Sequence, residues 1–128
     1  MLIIDRNTSI PVYEQIIRQM ERLILAGVYP PGAPLPSVRT LSQNLEINPN
    51  TLQKAFAELE MRGICFSVTG TGRFVAEDAK ERLRNEADPL LAQLDALCSR
   101  LLMLGFDEEA LLARIRALKS EKEADLHD

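Results

Sequence analysis

The sequence predicts a mainly α fold with one small β-hairpin, in two parts, residues 1–76 and 77–128. Three observations carry that expectation. Apolar residues recur at three- and four-residue spacing through most of the chain, as helices with one buried face require. One stretch, residues 64–76, breaks that period with β-branched and aromatic residues on both sides of Gly70-Thr71-Gly72, the pattern of a hairpin. A leucine seam then fills the C-terminal part.

Taken in order, Leu2-Ile3-Ile4 reads as a short strand able to join the hairpin. Over 11–26, Tyr13, Ile16, Ile17, Met20, Leu23 and Ile24 fall on one helical face, with Pro11 suited to the first turn and Gly27 to the end. "GVYPPGAPLP" follows; its prolines and glycines exclude helix and central strand and leave a stiff surface turn. Ser37 is placed to cap a short helix over 37–45 with Val38, Leu41 and Leu45 inward. After the tight connection Glu46-Ile47-Asn48, Asn48 and Pro49 open a helix to about Arg62 with Leu52, Ala55, Phe56 and Leu59 inward, and Gly63 stops it.

From Ala79 the chain is helical again. Leu83, Ala87, Leu90, Leu94, Leu97, Leu101 and Leu104 alternate steps of four and three, a heptad seam widened by Leu91, Cys98 and Leu102. Asp88-Pro89 marks a cap and restart, and Gly105 an end. Asp107 caps a last helix with Phe106 and Leu111 as its staple and Leu111, Leu112, Ile115 and Leu118 as its apolar face. Residues 119–128 read as a frayed polar tail. Two helices cannot bury both stripes against each other alone, so self-association through Leu90, Leu94, Leu97, Leu101, Leu104, Leu111, Ile115 and Leu118 is expected.

Composition narrows the functional classes. With 46% hydrophobic and 27% charged residues the balance is that of a globular chain. No apolar run approaches the roughly 20 residues a membrane span needs, and the N-terminus lacks a basic segment followed by an apolar one; a cytoplasmic protein without a membrane partner is expected. Cys65 and Cys98 are too few and too far apart for a disulfide framework and read as reduced thiols, with a redox switch as the alternative. The single histidine, His127, has no cysteine or histidine cluster near it, so no metal and no cofactor are expected. Nor is there a paired-carboxylate pocket, a nucleophile elbow or a phosphate-cradling loop; an enzyme is not expected. The net charge of −4 is unevenly spread. Residues 1–76 hold seven Lys/Arg against six Asp/Glu, a net of +1, and residues 77–128 hold eight against thirteen, a net of −5. The N-terminal part is therefore free to present a positive face.

Helix, Pro/Gly turn, short helix, tight turn, capped helix and Gly-tipped hairpin is the element order of a winged helix-turn-helix. In that unit the last helix enters the major groove with its N-terminal residues on base edges. The exposed residues there, Asn50, Thr51, Gln53 and Lys54, suit the task. Asn and Gln pair with adenine, Thr meets a thymine methyl, and Lys reaches guanine or phosphate. First-turn amides without intrahelical partners also face phosphate oxygens.

"PVYEQI", "GVYPPGAPLPSVRTLSQNLEINPNTLQKAFAELEMRG" and "GTGRFV" resemble the N-terminal domain of GntR-type transcriptional regulators, almost continuously over residues 10–76. The run Pro31-Gly32-(x)2-Leu35-Pro36-Ser37-(x)-Arg39-(x)-Leu41 is the most specific part of the resemblance. Asn48-Pro49-Asn50-Thr51, with a short two-helix C-terminal part, is similar to the YtrA subfamily. The resemblance implies DNA contacts from Ser37, Arg39 and Thr40 of the second helix, from Asn48, Asn50, Thr51, Gln53 and Lys54 of the recognition helix, and from the wing tip Gly70, Thr71, Gly72 and Arg73, with Arg73 directed at the minor groove. At Pro49 the chain departs from relatives that carry a base-reading arginine. What is implied is a homodimeric repressor on a palindromic double-stranded operator, commonly of its own transporter operon; an effector-sensing switch with a ligand between the C-terminal helices is compatible with it, and the sequence leaves the small-molecule effector unknown. The reading from another class is a protein–protein interaction module whose winged helix no longer binds DNA. Arg39, Lys54 and Arg73 speak against it, because a repurposed surface has no need of cations there.

Overall fold

The computed structural model describes residues 2–127, with side chains through Glu121, and divides into two compact units, Met1–Glu86 and Ala87–Asp128. The first holds α1 (Val12–Leu25), α2 (Val38–Leu45), α3 (Pro49–Met61), β1 (Cys65–Val68), β2 (Gly72–Val75) and α4 (Ala79–Asn85). The second holds α5 (Asp88–Met103) and α6 (Glu108–His127).

The core of the first unit follows from the helical spacing. Ile16, Met20 and Ile24 of α1 and Leu52, Phe56 and Leu59 of α3 are fully buried against one another with Ile64 and Val75 of the hairpin; each contributes about 1.5–3 kcal/mol by burial. Asn48 caps α3, its side-chain oxygen accepting from the Asn50 amide at 2.9 Å. The other end turns at Gly63, whose φ of 78° only glycine adopts freely. The Gly63 amide donates to Glu60 O and the Ile64 amide to Leu59 O, both at 2.9 Å, closing the last turn. A Cβ at Gly63 would also lie 2.7 Å from the Arg82 guanidinium.

β1 and β2 pair antiparallel, Cys65 opposite Val75 and Ser67 opposite Arg73. The proline-rich linker turns as expected and then borders β2. Gly32 N donates to Val75 O at 2.8 Å, Val75 N to Ala33 O at 2.9 Å, and Leu35 N to Arg73 O at 2.9 Å. Pro34 lacks an amide hydrogen and is tolerated at this outer edge of the sheet.

Four expectations are corrected. Leu2-Ile3-Ile4 form no strand; two α1 glutamines occupy the backbone groups a neighbouring strand would take. The Gln19 amide accepts from Ile3 N at 2.7 Å and donates to Ile3 O. Buried Gln15 accepts from Asp5 N and donates to Asp5 O and Ile10 O, at 2.8–2.9 Å. Leu83 leaves the leucine seam. Ala79 and Leu83, one helical turn apart on α4, are buried in the core of the first unit, which is why that unit continues past residue 76 to Glu86. Asp88 lies inside the first turn of α5 rather than capping it, and Ala87 takes the cap position without a side-chain bond; the restart itself occurs where Pro89 requires it. The polar segment after Lys119 remains helical, α6 reaching His127.

In the second unit α5 ends at Gly105 (φ 98°), with Gly105 N on Leu102 O and Phe106 N on Leu101 O, both at 3.1 Å. Asp107 accepts from the Ala110 amide at 2.9 Å as a cap. α5 buries none of its side chains.

Candidate nucleic-acid interface

Ser37 caps α2 by accepting from the Thr40 amide at 3.0 Å while its hydroxyl donates to Thr40 Oγ1 at 2.8 Å, so both polar side chains stand at the helix start. Facing them across a cleft of about 400 Å³ are Val68, Gly70, Thr71 and Gly72 of the hairpin tip and Arg73, with Pro34 to Val38 forming the other wall. Ser37 and Val38 at the start of α2 line this cleft, and a helix start carries unpaired amides and the positive end of the dipole, which favour an anion. Arg39 is exposed and makes no hydrogen bond or ion pair among the described residues. Asn48, Asn50 and Gln53 are exposed at the start of α3, and Thr51 is half-buried.

Two expected contact residues sit differently. Lys54 Nζ lies over the Tyr13 ring, 3.8 Å from its centroid, on the α1 side of α3; there it borders a groove lined by Ala57, Glu58 and Met61. Arg73 does not project from the hairpin tip. Opposite Ser67 and two residues from buried Val75, it shares the sheet face turned to α3. Its Nη2 donates to Gln53 Oε1 at 2.9 Å, its Nε faces Glu60 Oε1 at 3.3 Å, and its guanidinium lies 5.0 Å from the Phe56 ring centroid.

Several supporting residues escaped sequence reasoning. Glu60 also accepts from the Ser67 hydroxyl, so it joins both strands to α3. The strand alternation that puts Ser67 and Arg73 on the face of Cys65 was the available signal. Arg6 donates from Nη2 to Leu45 O and Glu46 O, each at 3.2 Å, and so holds the turn between α2 and α3. In that turn Glu46 takes φ 54°, a left-handed angle uncommon for a residue with a Cβ. Arg62 at the end of α3 binds three carboxylates: Glu86 (Nε to Oε1, 2.9 Å), Glu21, and Glu58 at 3.7 Å. The Glu86 hydrogen bonds hold its charge most strongly and raise its pKa; the same bonds hold the Glu86 carboxyl below the usual carboxylate range. Burial, reinforced by nearby Glu60, pushes the Cys65 thiol up to about 11, so it is protonated at neutral pH. Cys98 is half-buried.

Of the seam residues, Leu90, Leu94, Leu97, Leu104, Ile115 and Leu118 are exposed, Leu104 at 68%, while Leu101 and Leu111 are half-buried. Among the described residues no helix is long and apolar enough to cross a membrane, and no group of three or more His, Cys, Asp or Glu is placed to hold a metal ion.

Residues 12–75 match the family model described as bacterial regulatory proteins, gntR family. The chain belongs to the GntR family. It is 48% identical over 83 residues to the HTH-type transcriptional repressor YtrA of Bacillus subtilis, covering 65% of this chain and 64% of that protein. A GntR family transcriptional regulator from Listeria monocytogenes has a similar structure, with a TM-score of 0.69 and 36% identity over 89% of this chain and 98% of the other. The AraR DNA-binding domain, solved in complex with operator ORX1, matches 59% of this chain and 95% of its own length at a TM-score of 0.54 and 28% identity. Like these relatives, the GntR chain is mainly helical with one two-stranded antiparallel sheet, a winged helix-turn-helix followed by C-terminal helices.

Proposed function

We propose that this GntR-family chain is a sequence-specific DNA-binding transcriptional regulator, a repressor, that acts in the cytoplasm as a homodimer on a palindromic operator and is not an enzyme. The observation that carries the reading is the cleft between the α2 N-terminus and the hairpin tip, together with the exposed start of α3 and with Arg39 on α2, exposed and unpaired among the described residues. A duplex laid on this surface meets amides and Arg39 at its phosphates, and Asn50 and Gln53 at its bases. Ser37, Thr40, Asn48, Thr51, Gly70, Thr71 and Gly72 position the backbone; Arg73 bears on the duplex through Gln53, the α3 side chain to which it donates, and Lys54, resting over Tyr13 of α1, adds positive charge beside the recognition helix.

Dimerisation rests on α5 and α6. Most of their seam residues lie exposed within a unit in which α5 buries nothing, and covering such a stripe with a second copy is the economical solution. A two-fold dimer presents two recognition helices to two half-sites. The family likeness to YtrA supports the repressor reading.

The test is selection of bound duplexes from a random library, followed by titration of the selected sequence at two salt concentrations with the wild type and Arg39→Ala. A palindromic consensus whose affinity falls on mutation and on added salt supports the regulator. Absence of enrichment with a folded dimer sinks it and turns attention to protein partners of the leucine stripe.

A further inference from the structure

We propose that Arg73 is a positioning residue for base recognition, a latch from the hairpin that sets which way the Gln53 amide faces the DNA; this rests on the regulator reading above. Gln53 is on the exposed side of the recognition helix α3, two turns before Glu60. The Arg73 side chain, 22% exposed, lies between β2 and α3 with Phe56 beneath it and Glu60 beside it. Glu60 is itself held by Ser67, the cross-strand neighbour of Arg73, so the guanidinium occupies a built seat.

Arginine carries five donors and no acceptor. The Gln53 atom that meets Arg73 Nη2 at 2.9 Å must therefore be its oxygen, and the amide nitrogen is left to face outward. A glutamine held this way presents two donor hydrogens to the groove. That suits the acceptor edges, N7 and O6 of guanine or O4 of thymine, over adenine, where the oxygen must also accept from N6. Arg73 thus acts on sequence preference without touching a base. Its Nε has no aligned acceptor in this seat, so the fork is held by Nη2, the Glu60 charge and the Phe56 ring.

The experiment selects duplexes with wild type, Gln53→Ala, Arg73→Ala, Arg73→Lys and the Gln53→Ala/Arg73→Ala double variant, each checked for folding by thermal melting. The wild type should prefer guanine or thymine at one base pair of each half-site. Gln53→Ala and Arg73→Ala should each lose that preference, by roughly fivefold, at the low end for a single base contact. The double variant should lose no more than either single one. Arg73→Lys keeps the charge without the fork and should retain affinity while losing the preference, and it carries the test if Arg73→Ala fails to fold. Arg73 variants that weaken all sequences equally and lower the salt dependence would make Arg73 a phosphate contact and overturn the latch, as would an unchanged preference. No enrichment by the wild type overturns the regulator reading and the latch with it; enrichment with an Arg73-independent preference overturns the latch alone.

Discussion

Arg62 ties three helical segments of the first unit to one charge, and Arg62→Met tests how much that is worth. Methionine keeps much of the aliphatic stem and removes the guanidinium, so Glu21, Glu58 and Glu86 lose their common partner. The Arg62 and Glu21 side chains are only 23% and 24% exposed, so that pair is worth about 1–1.5 kcal/mol as a partly shielded charged hydrogen bond. Glu58 and Glu86 are more open, and each adds about 0.2–1 kcal/mol. The expected loss is about 2 kcal/mol, or about 10 °C in Tm for a unit of this size. Urea unfolding followed by circular dichroism at fixed protein concentration measures it. The pH dependence identifies the cause. Because Arg62 lowers the folded-state pKa of Glu86, that stabilisation is present above the ordinary carboxylate pKa of 4.5 and is lost as pH falls through the lowered value. The gap between wild type and variant should be full at pH 7 and narrow by the Glu86 share as Glu86 protonates. A gap below about 0.5 kcal/mol at pH 7 would refute the network, and one that does not change down to acid pH would mean that packing, not charge, was lost.

Arg39→Ala should leave the melting temperature unchanged and reduce the slope of log affinity against log salt by about 1, as removal of one phosphate contact does; a steeper loss at one base pair would make it a base reader. The proposed dimer should appear in sedimentation equilibrium of the wild type and become a monomer with Leu94→Asp and Leu101→Asp, while residues 1–86 keep their cooperative melt; a dimer that survives both changes would place the interface elsewhere. Cys65, buried and with its pKa pushed up to about 11, should resist an aromatic disulfide reagent at pH 8 until urea unfolds the chain; rapid native labelling of both thiols would contradict the burial.

Elements held by near neighbours in the chain were legible in the sequence. Ser37 and Asn48 cap the helices expected of them, Gly63 and Gly105 end theirs, and Gly70-Thr71-Gly72 turns the hairpin. Interactions that reach across the fold were not. Leu83 fits a heptad as well as a core position, and only packing with Ala79 against the first unit decided between them. Leu2-Ile3-Ile4 has strand composition, yet Gln15 and Gln19 reach its backbone first.

The same division runs through the candidate interface. The residue types expected to face a duplex, and their order along the chain, were written in local sequence, because capping, helical period and turn chemistry act within four residues. Which of those side chains stand free was decided by the tertiary structure. Arg39 does; Lys54 is drawn to Tyr13, and Arg73 to Gln53 and Glu60. A long cationic side chain takes whichever partner the fold brings within reach, and that partner lies tens of residues away in sequence, beyond what periodicity reports.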